Sequence, residues 1–260
     1  MKMATPAWRW IDTGVRRPAE NLALNRALLE ARQAREIPST LRFLRFTPAA
    51  LVGHHQDPAQ ELDLAYCASR GIAVQRRLTG GGAIYLDENV LGWELYLESR
   101  DVGTPEMAAI SRRVCTAAAA AIRALGAAAE YRAPTDIVVA GRKISGTGGA
   151  LDGDALLYQG TLLVDFDVEV MLRALAATAP RVTPEFLAGA RQSVVNLREL
   201  VAPLPELDRI EAAFVAAFAR EFGASIERGE LGERELARYR AALAEIDDPA
   251  WVGLPEARAA

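Results

Sequence analysis

The sequence predicts an α+β fold, and three features of its pattern carry the prediction. Strand-like runs follow one another through turns: Thr40 to Arg45 and Ala50 to Gly53 flank a Thr-Pro turn, and Asp136 to Ser145 reads as a hairpin reversing at Ala140-Gly141. Helical periodicity is gathered into a few segments, the last two of them neighbours near the C-terminus. The regular strand–helix alternation of a doubly wound sheet is missing.

The elements follow in order. Trp8 to Thr13 reads as a short strand. Asn21 to Ala31 reads as a helix with Leu22, Leu24, Leu28 and Leu29 on its apolar side and Asn21 and Asn25 four apart on one face. Gly53 to Asp57 is a loop. Pro58 suits the first turn of a helix carrying Leu62, Leu64, Ala65, Tyr66 and Cys67, which Gly71 ends. Ile72 to Arg77 is a strand running straight into three glycines and a further apolar run. Leu91 to Leu97 alternates as a strand does. Thr104-Pro105-Glu106 marks a helix start, with Met107, Ile110, Val114, Ala118, Ala121 and Leu125 as its buried stripe. Its alanine run, 117 to 121, predicts close packing on a sheet. After the 136–145 hairpin, Gly146 to Asp154 reads as a polar, glycine-rich connection. Leu156 to Val164 is a strand and Val168 to Ala176 a helix. Pro205 to Phe222 is a helix with Ile210, Phe214 and Phe218 in register, and Leu236, Tyr239, Leu243 and Ile246 mark the last one. The tail after Asp248 is expected to be loosely held.

Composition narrows the function. With 260 residues, 51% of them hydrophobic, the chain can build one large domain. A net charge of −4 argues against general nucleic-acid binding, which needs a basic face. No apolar run reaches membrane-spanning length. The first ten residues lack the apolar region of a signal peptide, and Cys67 and Cys115 make no disulfide framework, so the cytoplasm is expected. The only histidines are His54 and His55, and no CxxC is present, so a structural zinc site is not expected.

Chemistry concentrates in Gln75 to Asp87. Arg76 and Arg77 stand before Gly80, Gly81 and Gly82, so forked cations and close-approaching backbone amides converge. That combination suits a phosphorylated or carboxylated small molecule. The spacing matches neither G-x-G-x-x-G nor G-x-x-x-x-G-K-[ST]. A second constellation lies about 60 residues on: Asp136-Ile137-Val138-Val139-x-Gly141-Arg142-Lys143-Ile144-Ser145-Gly146, followed by Gly160-Thr161-Leu162-Leu163.

The pair of boxes resembles lipoate–protein ligases and their octanoyltransferase relatives. The resemblance also takes in Asn21-x-x-x-Asn25, Gly53-x-x-Gln56 and Ser193-Val194-Val195-Asn196-Leu197, and so spans roughly residues 10 to 220. It implies a central mixed, mostly antiparallel sheet with flanking helices, the class II synthetase-like catalytic domain shared with biotin ligases. The expected division is a catalytic domain over 1–200 and a C-terminal helical extension over 201–260, packed on the same domain. It implies ATP-dependent, AMP-forming attachment of lipoate to a lysine of an acceptor lipoyl domain, glycine-cleavage-H-like or dehydrogenase E2-like, through a lipoyl-adenylate. ATP and Mg²⁺ would take part. Some related ligases also use a small accessory domain or subunit. The stretch after Leu200 is short for it, so either a separate small partner or a closure of its own is expected.

The implied roles fall on named residues. Lys143 is the catalytic cation between the lipoate carboxylate and the α-phosphate. Arg77, with Arg76 as second choice, clamps the triphosphate or the carboxylate. Thr79, Gly80, Gly81 and Gly82 bring backbone amides close, and Ala83, Ile84 and Tyr85 line the adenine side. Asp136 positions Mg²⁺ or the adenosine, and Gly146 and Thr161 complete the nucleotide site. Gly53, His55, Gln56 and Trp93 line the slot for the lipoyl tail. Taken singly, Lys143 reads as a solvated hairpin lysine and Asp136 as a strand-start cap; the joint match raises them above that. Leu86, Thr135 and Gln159 depart from the family's usual His, Asn and His. The octanoyltransferase branch carries its cysteine shortly before the segment matching Asp136. Tyr131 to Pro134 holds none there, which favours the ligase; the remaining alternative is a non-catalytic lipoyl-binding module, against which an intact Lys143 argues.

Overall fold

The computed structural model describes residues 5–175 and 183–253. Its strands are β1 (Ala7–Arg16), β2 (Thr40–Phe46), β3 (Ala49–Val52), β4 (Ala73–Arg76), β5 (Ile84–Leu86), β6 (Val90–Glu98), β7 (Ala129–Arg132), β8 (Asp136–Val139), β9 (Arg142–Asp152), β10 (Ala155–Leu163) and β11 (Ser225–Arg228). Its helices are α1 (Pro18–Gln33), α2 (Pro58–Glu61), α3 (Leu64–Ser69), α4 (Ser99–Val102), α5 (Met107–Ala124), α6 (Val168–Ala174), α7 (Pro184–Ser193), α8 (Leu197–Leu200), α9 (Leu207–Phe222), α10 (Glu233–Ile246) and α11 (Pro249–Val252).

Every residue of β6 except Gly92 is buried, which places this strand inside a sheet covered on both faces. The eight-stranded sheet runs β11-β1-β2-β6-β10-β9-β8-β7. Its β11/β1 and β1/β2 pairs are parallel and the remaining pairs antiparallel. A smaller sheet, β4-β3-β5, stands beside it. The fold is therefore α+β with a mixed, mostly antiparallel sheet, as the sequence predicts.

Helices α5 and α9 cover one face. Ala117, Ala118, Ala119 and Ala121 are buried there, and the short side chains let α5 come close to the strands. Trp93, Tyr158, Phe214 and Phe218 fill the space beside them. The other face carries α1, with Asn25 donating to both carboxylate oxygens of Glu94 at 2.7 Å. Helix α10 packs on α1 through Ala242 and Ile246 against Ala19, Leu22 and Ala23. The small sheet joins the large one through Leu44, Leu51, Tyr85, Leu86, Phe166 and Val168.

The structure corrects several sequence expectations. Residues 146–152 are not a connection but the second half of β9, paired with β10 from Thr147↔Gly160 to Asp152↔Ala155. Glycine carries no strand signal. At Gly149, however, a Cβ would stand 2.6 Å from Tyr158 Cδ2, so packing excludes a side chain. The helix expected from Pro58 is broken into α2 and α3, because Asp63 caps the second by accepting from Tyr66 N at 2.8 Å. Helix α5 starts at Met107, after the Thr104-Pro105 signal. The helix expected over 168–176 is α6; residue 176 lies outside the described residues. The chain after Asp248 is held as far as Gly253: it forms α11, and Trp251 Nε1 donates to the Arg76 carbonyl at 3.1 Å. Strands β7 and β11 and helices α4, α7, α8 and α11 are not predicted by the sequence pattern. No helix among the described residues is long and apolar enough to cross a membrane.

Candidate active site

The β8–β9 hairpin places the catalytic candidate. Ala140 and Gly141 both take positive φ, 49° and 78°, the backbone a two-residue hairpin turn demands. Beyond the turn the pairing slips by one residue, from Val138↔Lys143 to Ile137↔Ser145. Ile137 and Ile144 both reach the α5/α9 core, so the bulge leaves Lys143 and Gly146 together on the opposite face. Lys143 lies over Gly146, where a Cβ would meet its Cε and Nζ at 2.9 Å. Its ammonium reaches Asp136 Oδ1 at 2.7 Å, with the lysine side chain 40% exposed.

Arg132 holds the other Asp136 oxygen, Oδ2, at 2.9 Å. Burial alone would raise the Asp136 carboxyl; the hydrogen bonds from Lys143 and Arg132 outweigh it and hold it below the usual carboxylate range. Thr161 Oγ1 lies 3.3 Å from both the amide and the carbonyl of Gly146 and ties β10 to this point. Arg132 is a residue the sequence reading passed over; only its position opposite Asp136 in the β7–β8 pair brings it in.

The glycine stretch is organised by its two arginines, which do different things. Arg77 donates to the carbonyls of Leu51 at 3.2 Å, Gly80 at 2.9 Å and Gly82 at 3.0 Å. It has no acidic partner among the described residues, and burial lowers its guanidinium to about 10. A partly desolvated arginine bonded to carbonyls alone, with no carboxylate to neutralise it, is what an incoming anion finds attractive. Arg76 instead donates to the carbonyls of Gly53 at 3.2 Å, His54 at 2.8 Å, Gln56 at 2.7 Å and Val252 at 2.8 Å. Like those of Arg77, its donors are engaged by chain carbonyls, here of the 53–56 loop and α11 rather than of the glycine stretch.

Gly81 has φ +96°, and its carbonyl lies where a Cβ on Gly53 would have to stand. His54 N donates to Thr79 O at 3.0 Å, and Gln56 Oε1 accepts from Gly53 N at 2.8 Å. The 53–56 and 79–82 loops are thus clasped together. Gly80 and Gly82 face open space, leaving room for a ligand against the backbone. Ala83 and Ile84 are half-buried, and His55 is exposed. Tyr85 turns inward, its ring 5.9 Å from Phe166, so any contact it makes with adenine is through main-chain atoms.

One segment joins the two halves. Val195 N donates to Lys143 O at 2.9 Å, and Val194 is bridged to Lys143 while its side chain packs into the cluster under the small sheet. Residues 17–219 match the model of the lipoyl protein ligase A/B catalytic domain. The chain belongs to this family. The chain is 28% identical over 252 residues to octanoyltransferase LipM of Kyrpidia tusciae, covering 88% of this chain and 92% of the relative. It is 26% identical over 225 residues to lipoate-protein ligase A subunit 1 of Thermoplasma acidophilum, covering 83% and 84%. The bipartite lipoate protein ligase of Thermoplasma acidophilum, solved with its E2 lipoyl domain, superposes with a TM-score of 0.84 at 22% identity, over 98% of this chain and 100% of that one.

Within this family member, Trp93 does not take the place expected of it. It is fully buried between Tyr158, Phe214 and Phe218, on the face opposite Lys143, and the absent side chain of Gly160 makes room for its ring. It is core, not acyl-slot lining. What stands on the Lys143 face of β6 and β10 is a polar network that the sequence signalled only through Asn21 and Asn25. Glu94 accepts from Asn25, from Arg42 at 3.1 Å, from Tyr96 at 2.6 Å and from Gln159 at 2.8 Å. Both cysteines are buried. Cys67 sits in the cluster under the small sheet, and burial raises its thiol to about 11. Cys115, on α5, has Sγ 3.2 Å from Thr147 Oγ1 and 3.3 Å from Tyr158 OH, with its thiol also raised by burial.

Proposed function

We propose that this chain is an ATP-dependent lipoate–protein ligase. One observation supports it most: the site presents two cations, Lys143 and Arg77, and neither thiol is bonded to them. Of the two cysteines in the sequence, one is packed under the small sheet and the other sits on the α5 side of the large sheet, and in both burial disfavours the thiolate.

The chemistry follows from these cations. Arg77 receives the anionic substrate where the glycines leave the backbone open. Lys143 shifts from Asp136 to the lipoate carboxylate and the α-phosphate, and Asp136 stays charged against Arg132. The carboxylate oxygen attacks the α-phosphorus and the bond to pyrophosphate breaks, giving lipoyl-adenylate. The neutral amine of an acceptor lysine then attacks the acyl carbon, and AMP leaves. Preorganised positive charge stabilises the negative charge gathering in both steps. Among the described residues no group of three metal-ligating side chains exists, so Mg²⁺ would ride on the ATP phosphates with Asp136 as its one carboxylate, an arrangement usual for this ion. It would neutralise phosphate charge.

In this reading the acceptor is a lipoyl domain, as for the Thermoplasma ligase, and residues 201–253 count as part of the catalytic domain rather than an extension of it, with α9 in its core and β11 in its sheet. The test is mass spectrometry of a lipoyl domain incubated with the chain, lipoate, ATP and Mg²⁺. The expected product carries one lipoyl group, and AMP accumulates. The second reading is an octanoyltransferase, favoured by the relatives that bear that name. It requires an acyl-thioester. ATP-independent transfer from an octanoylated carrier protein, lost in Cys115→Ala, would establish it and remove the ligase.

A further inference from the structure

We infer that the C-terminal turn Pro249–Gly253 is a positioning element for the anion site, with Trp251 and Arg76 as its positioning residues. The inference rests on the glycine stretch being the ligand loop, as proposed above. Trp251 Nε1 donates to the carbonyl of Arg76 at 3.1 Å, and the Arg76 guanidinium returns a bond to Val252 O at 2.8 Å. The same guanidinium holds the carbonyls of Gly53, His54 and Gln56. That loop in turn meets the glycine triplet through His54 N to Thr79 O and through the Gly53–Gly81 contact.

The apolar side of the arrangement agrees. Leu78, between Arg77 and the glycines, packs with Trp251, Tyr239 and Leu243 on the α1/α10 cluster. Gln75 Nε2 donates to Ile246 O at 3.0 Å, closing the last turn of α10 onto β4. The C-terminal segment therefore grips both ends of Gln75–Leu78 and, through Arg76, the opposite loop. Arg77, next in sequence, keeps its bonds to Leu51, Gly80 and Gly82 because its neighbours on both sides are fixed. Arg76 and Trp251 touch no substrate in this account; they act through Arg77 and the glycines.

The experiment uses the full chain and two readouts. Hydrogen exchange compares wild type with Trp251→Phe, which keeps the ring and removes only the donor. The hydrogen-bonded amides of Gly53, His54 and Gln56 in one loop and of Arg77 at the entry to the other should exchange faster in the variant, while those of β6 and β10 should not change. One neutral hydrogen bond is worth about a fivefold change in an equilibrium, so the expected acceleration is about fivefold. In ATP–pyrophosphate exchange, the KM for lipoate or ATP should rise by about the same factor with kcat little altered, because what is lost is ground-state positioning. Unchanged exchange in both loops, or a loss of kcat at unchanged KM, would overturn the inference. If the wild-type chain shows no pyrophosphate exchange, the ligase reading fails, and hydrogen exchange still decides the positioning role. Truncation after Asp248 should have the larger effect in the same loops.

Discussion

At the scale of single residues, Lys143 and Glu211 show two opposite uses of a charged side chain. Lys143 stays partly in water against one carboxylate, free to move to another anion. Lys143→Ala should lower lipoyl-adenylate formation by about 10²–10³-fold, the usual effect of removing one preorganised donor. ATP–pyrophosphate exchange measures it. Thermal stability should barely change, because Asp136 keeps Arg132 and an exposed polar substitution costs within about ±0.5 kcal/mol. Lys143→Arg should rescue poorly, since a planar fork does not occupy a point-charge position without shifting. Near-normal exchange in Lys143→Ala together with its loss in Arg77→Ala would move the catalytic role to Arg77. Glu211, on α9, is 3% exposed, and its Oε1 has no hydrogen-bond partner among the described residues. Burial first, then Asp12 and Asp208, raise its carboxyl from 4.5 to about 7, against the pull of Arg45 and Arg228. A raised acid binds a proton more tightly in the folded state than in the unfolded one. Stability is therefore lost as pH rises from about 4.5 to 7 and is not regained above. Glu211→Gln should gain roughly 1–3 kcal/mol over wild type at pH 8, and the gap should narrow at pH 5. Urea unfolding at the two pH values reads it; a constant gap would place the cause outside this titration.

Among the elements, the β8–β9 hairpin shows what was legible in the sequence and what was not. Its turn was readable because Ala140-Gly141 sits between two apolar runs, and Asp136, Lys143 and Gly146 were readable as members of one box. The bulge was not, because a one-residue slip leaves no compositional mark; it is set by Ile137 and Ile144 competing for the same core. The second half of β9 was hidden for a related reason: Gly146, Gly148 and Gly149 signal a loop locally, while pairing with β10 and contact with Tyr158 decide the matter globally. Trp93 misled because an indole on an alternating strand reads alike whether it faces a ligand or a core. The division of labour between Arg76 and Arg77 depends on α11, far away in sequence. The hairpin also yields a separable test. A Cβ on Gly146 would stand 2.9 Å from the Lys143 Cε and Nζ, the far end of a flexible chain that can move aside. Gly146 has no positive φ, and alanine loses less entropy in a strand than glycine does. Gly146→Ala should therefore match or exceed wild type in melting temperature while losing adenylation, because the lysine is pushed off its path. A variant with full activity would show that Lys143 does not work from its position over Gly146.

For the whole molecule, the question is what closes over the site. One face of the large sheet is covered by α5 and α9, and on the other α1 and α10 cover the side nearest β4. Lys143 is 40% exposed and Gly80, Gly81 and Gly82 are exposed, so the proposed anion site faces solvent in this arrangement. Adenylation needs water kept from a reactive mixed anhydride. The C-terminal helices are no ready lid, because α10 is packed on α1 and α11 is fastened to β4 by Arg76 and Trp251. In the ligase reading, cover comes from a loop that moves, from the acceptor domain or from a second small chain. The cysteines give a control on the chemistry at this scale. With both replaced, Cys67→Ala and Cys115→Ser, ATP-dependent lipoylation should persist, though filling and polarity changes in buried sites lower the melting temperature. Complete loss of transfer in a variant that still melts cooperatively would return the chain to a thioester mechanism. Pyrophosphate release then separates the sources of cover. The purified chain with lipoate, ATP and Mg²⁺ should release it slowly, and release should accelerate when a small second ligase subunit is added, whereas a lipoyl domain should accelerate only AMP release. That order follows because adenylation needs the site closed before the acceptor lysine arrives. Full turnover by the chain alone, unchanged by either addition, would mean that its own loops close the site and that no second chain takes part.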